Sequence, residues 1–195
     1  MAQNMRSPKN FFYSFIAKRI MLIANQKVIE DSVRRLRIRK NDIVLEIGSG
    51  NGQAIEEILK QNPKKIKVIE ISPVFRNILI KKFKDKIELF ENDASNLKKV
   101  INSNSIDKLL LINVIYFLKP LDKYLKEFER ILKSTGLIFI AAKFDAVKDF
   151  DSKVFKNKNI QDLLKVFNKY FKVSYKFLDL GDDNSKYYAI CLTKI

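Results

Sequence analysis

The stretch Ile43–Ile47, running into Gly48-Ser49-Gly50-Asn51-Gly52, constrains this chain more than any other. A short, mainly apolar run of strand length meets three glycines in five positions. The pattern then changes to helical spacing at Ile55, Ile58 and Leu59, within a helix expected over Ala54–Lys60. Glycine in such a turn adopts backbone angles closed to other residues, and it lets a ligand lie against the main chain with no Cβ in the way. Taken alone, the loop fits either a plain tight turn or a bound nucleotide.

The rest of the chain repeats this alternation. Ile66–Ile71 reads as a second strand, and Ser72-Pro73 opens a helix with serine as its cap and proline in its first turn. Ile87–Phe90 is a third strand. Leu109–Asn113 is a fourth, almost wholly apolar as befits a strand covered on both faces. Two helical stripes follow, Leu121, Tyr124, Leu125, Phe128, Ile131 and Leu132, then Ile160, Leu163, Leu164, Phe167, Tyr170 and Phe171. Between them, Gly136 is expected to end the first helix and Leu137–Ala142 to form a fifth strand. Val173–Leu180 and Tyr187–Thr193, joined by a Gly-Asp-Asp-Asn turn, read as an antiparallel hairpin. The expected fold is α/β: a Rossmann-like, seven-stranded, mostly parallel sheet with helices on both faces and a C-terminal antiparallel hairpin. Residues 1–40 are expected to form a helical cap segment, and 41–195 the domain proper, in one domain overall.

Two acids give the glycine loop its meaning. Glu70 closes the second strand twenty positions past Gly50, the spacing of a ribose-hydroxyl acceptor. Asp93 closes the third strand within Glu91-Asn92-Asp93-Ala94, placed to receive an adenine amino group. Three features at the carboxyl ends of adjacent parallel strands converge on one crevice. A dinucleotide fingerprint would carry its third glycine at position 53; here that residue is Gln53, which disfavours NAD or FAD.

Val44–Gln53 resembles the first motif of class I S-adenosylmethionine (SAM)-dependent methyltransferases, an acid followed by Gly-x-Gly-x-Gly. Glu70-Ile71-Ser72-Pro73 resembles the second motif, and Asn92-Asp93-Ala94 the third, with Asn92 standing where glycine is common. Residues 106–117, containing Asn113-Val114-Ile115-Tyr116-Phe117, resemble the fourth, and Leu125–Ala142 the helix-turn-strand after it. The resemblance covers about residues 41–142 and implies SAM as cofactor. It implies that Gly48, Ser49 and Gly50 contact the methionine part, with Glu46 supporting the loop. Glu70 would hold the ribose, Ile71 would pack on adenine, Asp93 with Ala94 would bind the adenine edge, and Asn113 would lie near the sulfonium.

The chain has no histidine and one cysteine, Cys191, which excludes a Ser–His triad, a His-ligated zinc centre, a Cys-based metal site and an internal disulfide. No metal is expected. If the acceptor is protonated, Tyr116, Asp145 or water must take the proton, and Tyr116, just past the fourth strand, is the candidate catalytic residue. The fourth motif lacks the Asn/Asp-Pro-Pro-Tyr/Phe pattern associated with amino-methylating enzymes of bases and glutamine. Met21-Leu22-Ile23-Ala24-Asn25 resembles a Met-x-x-x-Asn stretch that caps the cofactor cleft in some small-molecule methyltransferases. The expected acceptor is therefore a small or amphiphilic metabolite, its pocket shaped by residues 144–159. RNA or protein methylation, and a non-catalytic binding module, stand as alternatives.

Net charge is +16, which raises RNA as a partner. The largest basic clusters, Arg34–Lys40, Lys64–Lys67 and Lys81–Lys86, lead into strands and so fall opposite the crevice. No stretch approaches membrane-span length. The first 29 residues lack acids, so a transit peptide stays open beside the cap reading, under which the protein is cytoplasmic.

Overall fold

The computed structural model describes residues 25–195. The expected Met21–Ala24 part of the cap stretch, and everything before it, lies outside the described residues. A helix, α1, occupies residues 25–36. It is followed by β1 (Ile43–Ile47), α2 (Gln53–Lys60), β2 (Lys65–Ile69), α3 (Pro73–Phe83), β3 (Glu88–Phe90) and β4 (Ile106–Ile112). The second half contains α4 (Leu121–Ile131), β5 (Leu132–Ala142), a short α5 (Phe144–Val147), α6 (Ile160–Phe167), β6 (Phe171–Asp179) and β7 (Lys186–Lys194).

The seven strands form one sheet in the order β3-β2-β1-β4-β5-β7-β6. β1 to β5 pair in parallel, and β7 inserts antiparallel between β5 and β6. Chain direction reverses its march across the sheet between β1 and β4, and the crevice outside the carboxyl ends of those two strands is where this architecture takes ligands.

Side-chain alternation divides the core into two layers. Leu45, Leu109, Leu111, Ile138, Ile140, Ile190 and Leu192 face α4 and α6, whereas Val44, Leu110, Phe139, Ala141 and Tyr187 face α1, α2 and α3. Leu109, Leu110 and Leu111 are all fully buried, which only a strand covered on both faces permits. Each such leucine contributes roughly 1.5–3 kcal/mol of burial energy. Ser72 caps α3, its hydroxyl accepting from the Phe75 N–H with Pro73 in the first turn, as expected.

Two expectations are corrected. Gly136 does not end a helix: α4 stops at Ile131, and Leu132 turns extended to pair with Ile106. The register shifts there and resumes at Lys108 opposite Leu137, so pairing with β4 displaces a further helical turn. A Cβ on Gly136 would lie 2.6 Å from Leu132 Cγ, so this glycine serves close packing in the irregularity. Likewise Tyr170 and Phe171 are not on the helical stripe, because α6 ends at Phe167 and Phe171 opens β6 opposite Lys194.

α1 belongs to the core through Val28, Val33 and Leu36. It is pinned by Asp31, a buried carboxylate that accepts from the Tyr187 hydroxyl of β7 and from Arg34 and Arg35. Burial works against the charged form, but these donors outweigh it and hold the carboxyl below its usual range. We expect Asp31→Ala to cost roughly 2–3 kcal/mol in urea unfolding, because it leaves the buried Tyr187 hydroxyl and the part-buried Arg35 guanidinium without their acceptor. A loss below about 0.5 kcal/mol would show that α1 docks by apolar contact alone.

Candidate functional site

The glycine loop leaves β1 in left-handed turns. Gly48 has φ 74°, and a Cβ there would stand 2.6 Å from Val114 Cγ2, so glycine lets the end of β4 close against the loop. Gly50 has φ 54°, and a Cβ there would meet nothing within 4 Å, because its surface is the open cleft. The loop is tied down by hydrogen bonds from Gly48 N–H to the Ile69 carbonyl (2.8 Å) and from Gly52 N–H to the Ser49 carbonyl (2.9 Å).

Glu70 fastens this loop to its neighbours. One carboxylate oxygen accepts the Gly50 N–H at 2.9 Å, and the other accepts the Ser72 N–H at 2.8 Å. Arg76 holds the adjoining main chain, donating to the carbonyls of Glu70 (3.2 Å) and Ile71 (2.8 Å) and pairing with Glu91. Burial pushes the Glu70 carboxyl up, and the two backbone N–H groups and Arg76 act against that push. A carboxylate has about four lone-pair sites, so two remain for a ligand's hydroxyls.

The sequence-assigned residues come together around one cleft. Glu46, Gly48, Ser49, Gly50, Glu70, Ile71, Asp93, Ala94 and Asn113 all line it. Ile71 is 38% exposed, an apolar side chain presented at the lip. Asp93 accepts from the Ser95 N–H (2.9 Å) and from the Tyr124 hydroxyl (3.1 Å). Asn113 sits past β4 at φ 56°, its Nδ2 donating to Asn25 Oδ1 at 3.2 Å. Sequence reasoning missed Tyr124, which it read as core, and the Asn113–Asn25 contact across 88 residues; Ile29, Phe75, Phe117 and Leu118 also line the cleft.

Tyr116 lies behind the cleft wall. It is 2% exposed and does not line the cleft; its hydroxyl is enclosed between Asn113 Oδ1 (3.2 Å) and the Lys143 N–H. Burial pushes the phenol far above its ordinary value, which favours its protonated, donor form. Asp145 is exposed and lies outside the cleft lining.

The cleft suits a polar cofactor on its own chemistry. Among the described residues Glu46 Oε2 and Ser49 Oγ are buried with no hydrogen-bond partner, and both residues line it. Buried polar atoms left open in this way fit N–H or O–H donors brought by a ligand. Burial pushes the Glu46 carboxyl up to about 7; Ser49, near but outside hydrogen-bond geometry, opposes the shift, and Glu70 adds to it. Because the folded value stands above the ordinary 4.5, this group's contribution to stability is complete below 4.5 and is lost as pH rises through about 7. We therefore expect Glu46→Gln to gain roughly 1–3 kcal/mol relative to the native protein between pH 5 and pH 8 in urea unfolding. A difference independent of pH would mean that Glu46 is ionised throughout.

A methyltransferase-domain family model matches residues 45–140. The ribosomal RNA small subunit methyltransferase A of Persephonella marina is 44% identical over 64 residues, which is 33% of this chain and 24% of that protein. The enzyme of the same name from Sulfurihydrogenibium sp. is 36% identical over 92 residues, 45% of this chain and 36% of that protein. The chain thus matches little more than a third of these relatives' length at most. A SAM-dependent methyltransferase of Archaeoglobus fulgidus shares the fold, with TM-score 0.74 at 14% identity over 95% of this chain and 100% of the other. With the strand order, the glycine loop and the family match in agreement, residues 45–140 form a methyltransferase domain of the class I, S-adenosylmethionine-dependent type.

Proposed function

We propose that the protein transfers a methyl group from SAM to a small or amphiphilic metabolite. In this reading the adenine lies over Ile71 with its edge at Asp93 and Ala94. The ribose hydroxyls donate to Glu70, the methionine part follows Gly48–Gly50, and the sulfonium end faces Asn113. When bound, the cofactor supplies a methyl group on a positively charged sulfur. The protein's task is to align the acceptor and exclude water, and alignment supplies roughly 7–11 kcal/mol of a barrier in favourable cases.

The observation that carries the acceptor class is the character of the cleft wall. Among the described residues its ionisable side chains are Glu46, Glu70 and Asp93, all acidic, and Val114, Phe117, Leu118 and Ile29 supply apolar wall, where this reading seats the acceptor. The acids suit the cationic methyl donor, and the apolar part of the wall favours an acceptor with an apolar body. The largest basic clusters lie toward the amino ends of β1, β2 and β3, while Lys98, Lys99, Lys119, Lys148, Lys153, Lys156 and Lys158 fall at the other end. A second reading, RNA methylation, is favoured by the names of the relatives from Persephonella marina and Sulfurihydrogenibium sp..

Saturating SAM or S-adenosylhomocysteine (SAH), at about 100 times its dissociation constant, should add roughly 2.7 kcal/mol of stability and raise the melting temperature by roughly 5 °C, with no effect from NAD. Asp93→Ala should abolish the shift; an unchanged shift would move the adenine elsewhere. Methyl-labelled SAM with a cell extract should then place label in the low-mass fraction. Label in the RNA fraction, with binding that falls steeply with salt, would establish the second reading instead.

A further inference from the structure

Tyr116 joins the segment after β5 to the edge of the cleft. Its ring is buried among Phe117, Phe144 and Phe155, with ring centroids 6.1, 5.8 and 5.9 Å away. Its carbonyl accepts the Lys156 N–H at 2.8 Å, while Asn157 Nδ2 donates to the flanking carbonyls of Ile115 (2.7 Å) and Leu118 (2.8 Å). The segment after β5 is thereby docked on the turn after β4. On the other side, the Tyr116 hydroxyl meets Asn113 Oδ1, and Asn113 lines the cleft.

The direction of these bonds matters. A tyrosine hydroxyl has one proton to give. The Lys143 main-chain N–H occupies the oxygen as a donor, and a backbone N–H cannot reverse. The phenolic proton is left for Asn113, which must present its carbonyl oxygen in return. The Asn113 NH₂ is then forced toward the cleft and Asn25. Without Tyr116, the orientation of the Asn113 amide would rest on Asn25 alone, another amide that can either donate or accept.

We propose that Tyr116 is a positioning residue for methyl transfer: through its hydroxyl, the Lys143 main chain fixes Asn113 as a hydrogen-bond donor facing the cofactor. This rests on the assignment of Asn113 to the sulfonium end of the cleft. The burial that keeps the phenol protonated supports it. Substitution of the hydroxyl alone should leave the ring packing intact and release the amide.

The test is a double-mutant cycle read by calorimetric SAH binding, which requires no knowledge of the acceptor. Tyr116→Phe and Asn113→Ala should each weaken SAH by roughly three- to tenfold. In the Asn113→Ala background, Tyr116→Phe should change nothing further. Effects that multiply would overturn the proposal, because Tyr116 would then act through general packing. Asn113→Asp keeps the acceptor for Tyr116 and removes the donor, so it should lose as much affinity as Asn113→Ala; affinity retained in that variant would also overturn it, even if Tyr116→Phe failed to fold. If the native protein binds SAH but Asn113→Ala binds it equally well, this proposal falls while the cofactor reading stands. No binding to the native protein would remove both.

Discussion

The Glu70 carboxylate is the contact on which the site depends. It takes one N–H from the loop after β1 and one from the head of α3, joining two elements that the parallel sheet only brings near. Without it, the Gly50 N–H would face a cleft that Gly50 itself leaves open, and the left-handed loop would be held only at its ends, through Gly48 and Gly52. Burial makes this carboxylate reluctant to ionise, and the two main-chain donors and Arg76 reduce that reluctance without cancelling it. Site geometry and loop stability are thus one interaction seen from two ends.

Charge is distributed with the same economy of contacts. The chain carries a net charge of +16, yet the acids Glu46, Glu70 and Asp93 line the cleft. Strand-leading lysines are drawn into surface pairs, as where Lys65 and Lys67 share Glu88 at the β2–β3 junction. The positive excess therefore acts as a surrounding field, and the cleft keeps a local sign of its own. That sign is suited to a positively charged methyl donor.

Much of the fold was legible because it is locally encoded. A strand, three glycines and an acid twenty positions on carry their meaning in spacing, and the observed Gly50–Glu70 hydrogen bond spans that interval. The apolar run of β4 and the cap at Ser72 are equally local. What spacing could not reveal was contact between distant segments. Gly136 has the look of a helix stop, but pairing of Leu132 with Ile106 overrides it. Tyr116 follows a strand end and looks available to substrate, until the segment holding Phe144 and Phe155 folds over it. Tyr124 fits a core stripe, and only the fold brings its hydroxyl to Asp93.

The central claim is that the cofactor lies across the carboxyl ends of β1, β2 and β3, held at its ribose by Glu70. A crystal structure of the SAH complex tests it most directly. The account predicts both ribose hydroxyls within hydrogen-bond distance of the Glu70 carboxylate, with that carboxylate still accepting from Gly50 and Ser72. A ribose bound elsewhere, or a Glu70 that abandons the loop to reach it, would contradict the account.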